Sequence, residues 1–153
     1  MFKIKHFNEL SINELYEIAK CRYEVFACEQ KIFSENDFDD IDKNCYHLFL
    51  EENDRIISYL RIIPKKFSSY GEASIGRVLV MQSHRRKSLA KKMIIHAIDF
   101  IQSNLNEDHI ILSAQVYIKN LYLSCGFKEI SDVYDEAGIP HVKMKLYICL
   151  MEI

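Results

Sequence analysis

The stretch Ile75-Gly76-Arg77-Val78-Leu79-Val80, followed by Met81-Gln82-Ser83-His84 and then Arg85-Arg86-Lys87-Ser88-Leu89-Ala90-Lys91-Lys92, decides how this chain folds. Its apolar first block reads as a buried strand. Beyond the basic block, Leu89, Met93, Ala97 and Phe100 recur at spacings of four, four and three, which is one face of a helix. A strand therefore hands over to a long helix, and five cations, Arg85, Arg86, Lys87, Lys91 and Lys92, gather where that helix begins. The positive end of the helix macrodipole lies at the same place, so a sequence selected for stability alone would carry Asp or Glu there. The missing partner is an anion. Free backbone N–H groups of a first turn bind phosphate oxygens, and small residues such as Ser88 and Ala90 let the backbone approach closely.

Toward the N-terminus, Phe2 to Phe7 alternates as a strand does. Ser11-Ile12-Asn13-Glu14 has the pattern of a capping box and starts a helix predicted to run to about Phe26, with Leu15, Ile18 and Ala19 on its apolar face. Phe33 to Asn44 is acidic and irregular. Its aspartates, Asp37, Asp39, Asp40 and Asp42, lack the glycine and terminal glutamate of an EF-hand, so a solvated or ion-paired loop is expected. Tyr46 to Leu50 and Ile56 to Ile63 form a hairpin turned at Glu52-Asn53-Asp54, and Pro64 ends its second strand. Toward the C-terminus come a strand from His109 to Ala114, a short helix near Ile118 to Cys125, and strands near Phe127 and from His141 to Leu150. Hairpins first and a βαβ-like half second imply a single α/β (α+β) domain over residues 1–153, with a mixed sheet and helices on its faces.

Composition sets bounds on function. A chain of 153 residues, 49% hydrophobic, supplies apolar surface for one core. A net charge of −2 and a pI near 6.3 set nucleic acid aside as the main partner, and the local basic patch points to a small anion. Cys21, Cys28, Cys45, Cys125 and Cys149 are odd in number, widely spaced and without a Cys-x-x-Cys pair, so neither a disulfide framework nor a metal site is expected. The N-terminus lacks the apolar core of a signal peptide, and no run approaches the length of a membrane span. A cytoplasmic protein is expected.

Several blocks carry a family resemblance. Arg85-x-x-Ser88-x-Ala90 after a strand resembles the Gln/Arg-x-x-Gly-x-Gly/Ala pyrophosphate loop of the GNAT acetyltransferase superfamily, with Ser88 at the usual glycine. Ser113-Ala114-Gln115, then six residues, then Tyr122-Leu123-Ser124-Cys125-Gly126-Phe127 resembles the second motif, a strand followed by a short helix carrying Tyr-x-x-x-Gly-Phe. Tyr134 to Met144, with Gly138-Ile139-Pro140-His141 inside it, resembles the ElaA-like subgroup, as do Arg22 to Gln30, His47 before a strand, and Tyr59-Leu60-Arg61. The first half also resembles the acyl-homoserine-lactone synthases, and a noncatalytic acyl-CoA-binding module is the non-enzyme alternative. Gln115, Tyr122 and the Gly-Ile-Pro-His block favour the acetyltransferase.

The resemblance implies a GNAT-like, mostly antiparallel central sheet in which two neighbouring strands splay around the acyl carrier. It implies acetyl-CoA as co-substrate and transfer of the acetyl group to a primary amine of a small molecule or peptide by direct attack. Such chemistry needs an uncharged amine, a held carbonyl oxygen and a proton for the departing thiolate. By this resemblance Val78, Leu79 and Val80 lie along the pantetheine arm, and Arg85, Arg86, Lys87, Ser88, Leu89, Ala90 and Lys91 hold the pyrophosphate. Gln115 takes the place of a cofactor-binding Asn, and Tyr122 takes that of the general acid; a phenol with pKa ~10 stays protonated. Gly126 supplies a positive φ after the helix. The base stays open: where some members carry Glu, this chain has Ile110, which leaves Glu29, His47 and His141. Arg22, His47 and Arg61 are candidates for the acceptor site, the two arginines either binding an anionic group or pairing with acids between Glu35 and Asp42. The acidic run either is a solvated loop or attracts a cationic amine such as a polyamine, and a homodimer is left open.

Overall fold

Asn53 and Asp54, both in the left-handed region (φ 52 and 61), form a two-residue turn whose twist matches its flanking strands. In this computed structural model, which describes residues 1–148, that turn joins strands at Tyr46–Glu52 and Arg55–Ile63. Cys149 and the expected end of the last strand at Leu150 lie outside the described residues. Numbered along the chain, the strands are β1 (Lys3–His6), β2 (Tyr46–Glu52), β3 (Arg55–Ile63), β4 (Ser74–Val80), β5 (His109–Gln115), β6 (Lys128–Glu129), β7 (Tyr134–Glu136) and β8 (Ile139–Tyr147). The main helices are α1 (Ile12–Arg22), α2 (Leu89–Leu105) and α3 (Lys119–Ser124).

The first four strands form an antiparallel sheet in the order β1-β2-β3-β4; the second sheet runs β5-β8-β6, with β7 also on β8. The halves meet at one parallel bridge between Ala73 and Ile110, where the Ile111 N–H donates to the Ala73 carbonyl at 3.0 Å. Beyond it β4 and β5 part, so the expected splay is present, and from Ser74 onward one backbone edge of β4 has no strand beside it. That free edge runs on to Val80, the end of β4 that leads into the start of α2.

Alternation along β2 and β3 explains why helices cover both faces. Leu48, Leu60 and Ile62 pack against Met93, Ile94, Ala97 and Ile101 of α2. Their neighbours Phe49 and Tyr59, with Leu79, pack against Ile18, Cys21 and Val25. The buried face of α2 thus keeps Met93 and Ala97 from the expected stripe, while Leu89 and Phe100 flank it half-buried.

α1 departs from expectation. Ser11 and Glu14 cap it as the sequence predicts, but its buried face is Glu14, Ile18, Cys21 and Arg22, while Leu15 is 37% exposed and Ala19 half-buried. Counting apolar residues misses charged ones that go inside with a partner: the Glu14 carboxylate accepts from Lys5 Nζ at 3.0 Å. The expected continuation to Phe26 is wound as a seven-residue π-helix, Tyr23–Glu29, whose wide turns show in the Gln30 N–H bond to the Val25 carbonyl at 3.0 Å. Such windings cluster at functional sites.

Candidate active site

The start of α2 is built to leave its amides open. Ser88 precedes the helix at φ 59 and ψ 21, and its side chain does not cap the first turn. Arg86 is left-handed too, at φ 66. A serine in this region carries strain that glycine would not. The glycine replaced by Ser88 is therefore explained by backbone twist, more than by the close approach that the sequence suggested. Arg86, Lys87, Lys91 and Lys92 are exposed, and none forms an ion pair among the described residues. Arg85 differs: its Nε donates to the Val80 carbonyl at 2.8 Å, and its Nη2 reaches both Glu29 oxygens at 2.9 Å.

β4 bulges on its way to this loop. Tyr59 faces Leu79 while Arg61 faces Gly76, so an extra residue enters β4, and Arg77 takes φ 53. The side chain of Leu79 is buried in the core, and Val78 faces the gap between the sheets. That gap holds a cavity of about 530 Å³, walled by the π-helix, the segment 32–41, β4, the end of β5 and the β7–β8 hairpin.

Three arginines and three aspartates brace one wall. Arg22 is wholly buried; its Nε donates to Asp37 at 2.9 Å, its Nη1 to Asp42 at 2.8 Å and its Nη2 to the Asp37 carbonyl at 2.6 Å. Arg61 donates from Nη1 to Asp39 at 2.7 Å and to Asp42 at 3.0 Å, and from Nη2 to Asp39 at 2.8 Å. Arg77 lies 2.8 Å from Asp37 and 3.6 Å from Asp39. Burial pushes the Asp42 carboxyl up, but hydrogen bonds and charges from Arg22 and Arg61 outweigh it and hold the pKa below the usual range. Asp39 is lowered likewise, burial being outweighed by Arg61 and Arg77. Of the alternatives open for Arg22 and Arg61, both form ion pairs with the acidic run.

His47 is 1% exposed and does not line the cavity. Its Nε2–H donates to the Asp42 carbonyl at 3.0 Å, because a carbonyl only accepts, and its Nδ1 therefore accepts from the Tyr59 hydroxyl at 2.6 Å. Burial lowers its pKa despite the pull of Asp42. Glu29 also lies outside the cavity, on Arg85.

Tyr122 and His141 do line it. Tyr122 sits on α3, 4% exposed, with its ring edge-on to Phe127 at 5.9 Å. Burial first, then Cys125 and Tyr117, push its hydroxyl pKa above the phenol value, so it holds its proton. Gly126 takes φ 98 just beyond α3, and a Cβ there would meet Leu146 at 3.2 Å. Gln115, at the end of β5, donates to Gln30 at 3.0 Å, while its Oε1 is buried without a partner.

An acetyltransferase (GNAT) domain model matches residues 17–148. The chain belongs to the GNAT acetyltransferase family. A UPF0039 protein of Schizosaccharomyces pombe is 38% identical over 147 residues, covering 95% of each chain. The ElaA protein of Escherichia coli is 31% identical over 140 residues, 91% of each chain, and its crystal structure superposes with a TM-score of 0.86 over 95% of this chain and 99% of that one. The structure of an acyl-CoA N-acyltransferase from Pseudomonas aeruginosa matches with a TM-score of 0.87 at 29% identity, covering 95% and 99%. The ElaA-like resemblance is thereby upheld. The acyl-homoserine-lactone synthase LasI, at 14% identity and a TM-score of 0.76 over 96% of this chain and 89% of its own, shares the fold alone.

On the β7–β8 hairpin the sequence points to His141 as a candidate base but gives no role to Glu136, which the hairpin brings beside it. Ala137 and Gly138, at φ 55 and 79, turn it, pairing Tyr134 with His141 and Glu136 with Ile139. The His141 Nε2 then lies 3.2 Å from Glu136, and Ser113 Oγ contacts the Tyr134 hydroxyl at 2.5 Å and both Glu136 oxygens at 3.4 Å. The Ala-Gly turn between alternating residues was the available signal for this grouping.

Proposed function

We propose that the protein transfers an acetyl group from acetyl-CoA to a primary amine by direct attack on the thioester. One observation carries this reading: the strands part toward an uncapped, cation-ringed helix start, and the gap between them opens into a cavity holding Tyr122, Gln115 and His141. The pyrophosphate lies against the first N–H groups of α2, with Arg86, Lys87 and Lys91 around it and Ser88, Leu89 and Ala90 beneath. The pantetheine arm runs along the free edge of β4 at Val78, Leu79 and Val80, toward Gln115 at the end of β5. The amine nitrogen bonds to the acetyl carbon as the C–S bond breaks, and the Tyr122 hydroxyl gives its proton to the thiolate.

His141 is the base in this scheme. Glu29 orients Arg85, and Arg22, Arg61 and His47 hold the acidic segment in place. The reaction takes place in the cytoplasm, in keeping with free thiols at Cys21, Cys28, Cys45 and Cys125. No helix of the described residues is long and apolar enough to cross a membrane.

Acetyl-CoA at 100 times its dissociation constant is expected to stabilise the fold by about 2.7 kcal/mol. A folded sample that gains nothing from acetyl-CoA or CoA ends the proposal. In Tyr122→Phe, acetyl-CoA affinity is expected to persist while turnover on the best amine drops roughly 10²-fold. Full activity in that variant would remove Tyr122 from the chemistry.

A further inference from the structure

The charges of the cavity bear on the class of acceptor, given the amine-acetylation reading above. Its three guanidiniums are matched by Asp37, Asp39 and Asp42 in a closed network. Arg61 Nε has no hydrogen-bond partner, yet it is buried and packed against Gly76, out of a ligand's reach. Arg77 Nε also lacks a hydrogen bond and its side chain is 29% exposed, but it lies 2.8 Å from Asp37 and its Nη2 3.6 Å from Asp39, so each guanidinium that lines the cavity already faces a carboxylate of the fold. What remains open on the wall is negative. The Glu136 side chain is 42% exposed, with His141 at 3.2 Å, and Glu35 at the rim has no ion-pair partner among the described residues. The rest of the lining is largely apolar or aromatic, including Phe26, Ile32, Ile63, Phe67 and Tyr70.

The proton inventory at Glu136 points the same way. His141 Nδ1–H donates to the Ile139 carbonyl at 2.7 Å, so Nε2 is the nitrogen that faces the Glu136 carboxylate, 3.2 Å away. An ammonium docked on Glu136 brings its own N–H donors beside that nitrogen. The neutral Nε2 of His141 is then free to take a proton from the ammonium, yielding an uncharged amine and an imidazolium.

We propose that the acceptor is a carboxylate-free primary amine on an apolar or aromatic body, its ammonium docked on Glu136. Calorimetric titration of the CoA-loaded protein with tyramine against tyrosine, and phenethylamine against phenylalanine, isolates the carboxylate. The amines are expected to bind at least about tenfold more tightly. Glu136→Gln is expected to remove most of that advantage and leave acetyl-CoA affinity unchanged, and Asp39→Asn, which leaves Arg61 and Arg77 one anion short, to shift preference toward the amino acids. Equal or tighter binding of the amino acids, binding of neither partner in each pair, or an unaltered preference in Glu136→Gln overturns the proposal. Binding is read without turnover. A protein that prefers the amines yet releases no CoA from acetyl-CoA therefore keeps this substrate class and loses the acetyl-transfer reading, whereas one that acetylates the amino acids faster than the amines does the reverse.

Discussion

Two cation-rich regions of this molecule do opposite things. Around the start of α2, Arg86, Lys87, Lys91 and Lys92 stand in solvent without acidic partners among the described residues, beside strained backbone and a helix start that Ser88 does not cap. Across the cavity, Arg22, Arg61 and Arg77 are threaded into three aspartates, and Arg22 is wholly buried. Cations without anions in the fold are available to a ligand, while cations that the fold has neutralised are scaffold. The sign of the charge is the same in both regions; partner and burial separate them.

The largest expected effect tests the scaffold half of that contrast. Asp42 accepts from both Arg22 and Arg61, so Asp42→Ala leaves two buried guanidiniums short of an anion. Removing one partner from such a site costs about 3–5 kcal/mol. Chemical denaturation that shows a loss under 1 kcal/mol would mean that the network is no more than surface pairing. By contrast, replacing Lys92 with Ala is expected to leave stability nearly unchanged.

Acid sharpens the comparison. His47 is buried with a lowered pKa, so the unfolded chain binds its proton more readily, and the stability it contributes is present above about pH 6.5 and lost as pH falls through its folded pKa. One such proton gives at most about 1.4 kcal/mol per pH unit. A second decline begins near pH 4, where unfolded aspartates protonate while Asp39 and Asp42, lowered by their arginines, still resist. Stability curves of His47→Gln should lack the first step. An unchanged first step would assign it to another group.

The smallest effect lies at the cofactor side. Ser88→Gly relieves a left-handed residue and is expected to stabilise the fold by about 1 kcal/mol, with CoA affinity equal or better. Ser88→Leu keeps the strain and adds bulk beside the helix start, so CoA affinity should fall while the fold persists. Unaltered affinity in the leucine variant would place the pyrophosphate elsewhere.

Much of the fold was written locally. The Asn53-Asp54 turn, the Ser11–Glu14 capping box, Pro64 after β3 and the strand-to-helix change at Val80 each act through a few neighbouring residues, so they are legible from order alone. The cation cluster at α2 is legible for the same reason, since its members are close in sequence. Tertiary structure decided which arginines are free. Arg22 and Asp42 are twenty residues apart and Arg77 and Asp37 forty, and nothing local announces such pairs. It also decided that Glu29 serves Arg85 instead of the cavity, that His47 is held by Tyr59 and Asp42, and that Glu136 meets His141 across a hairpin. Whether a charge is a tool or a tie depends on desolvation and on its partner. Both are set by packing between distant segments, which a one-dimensional pattern does not contain.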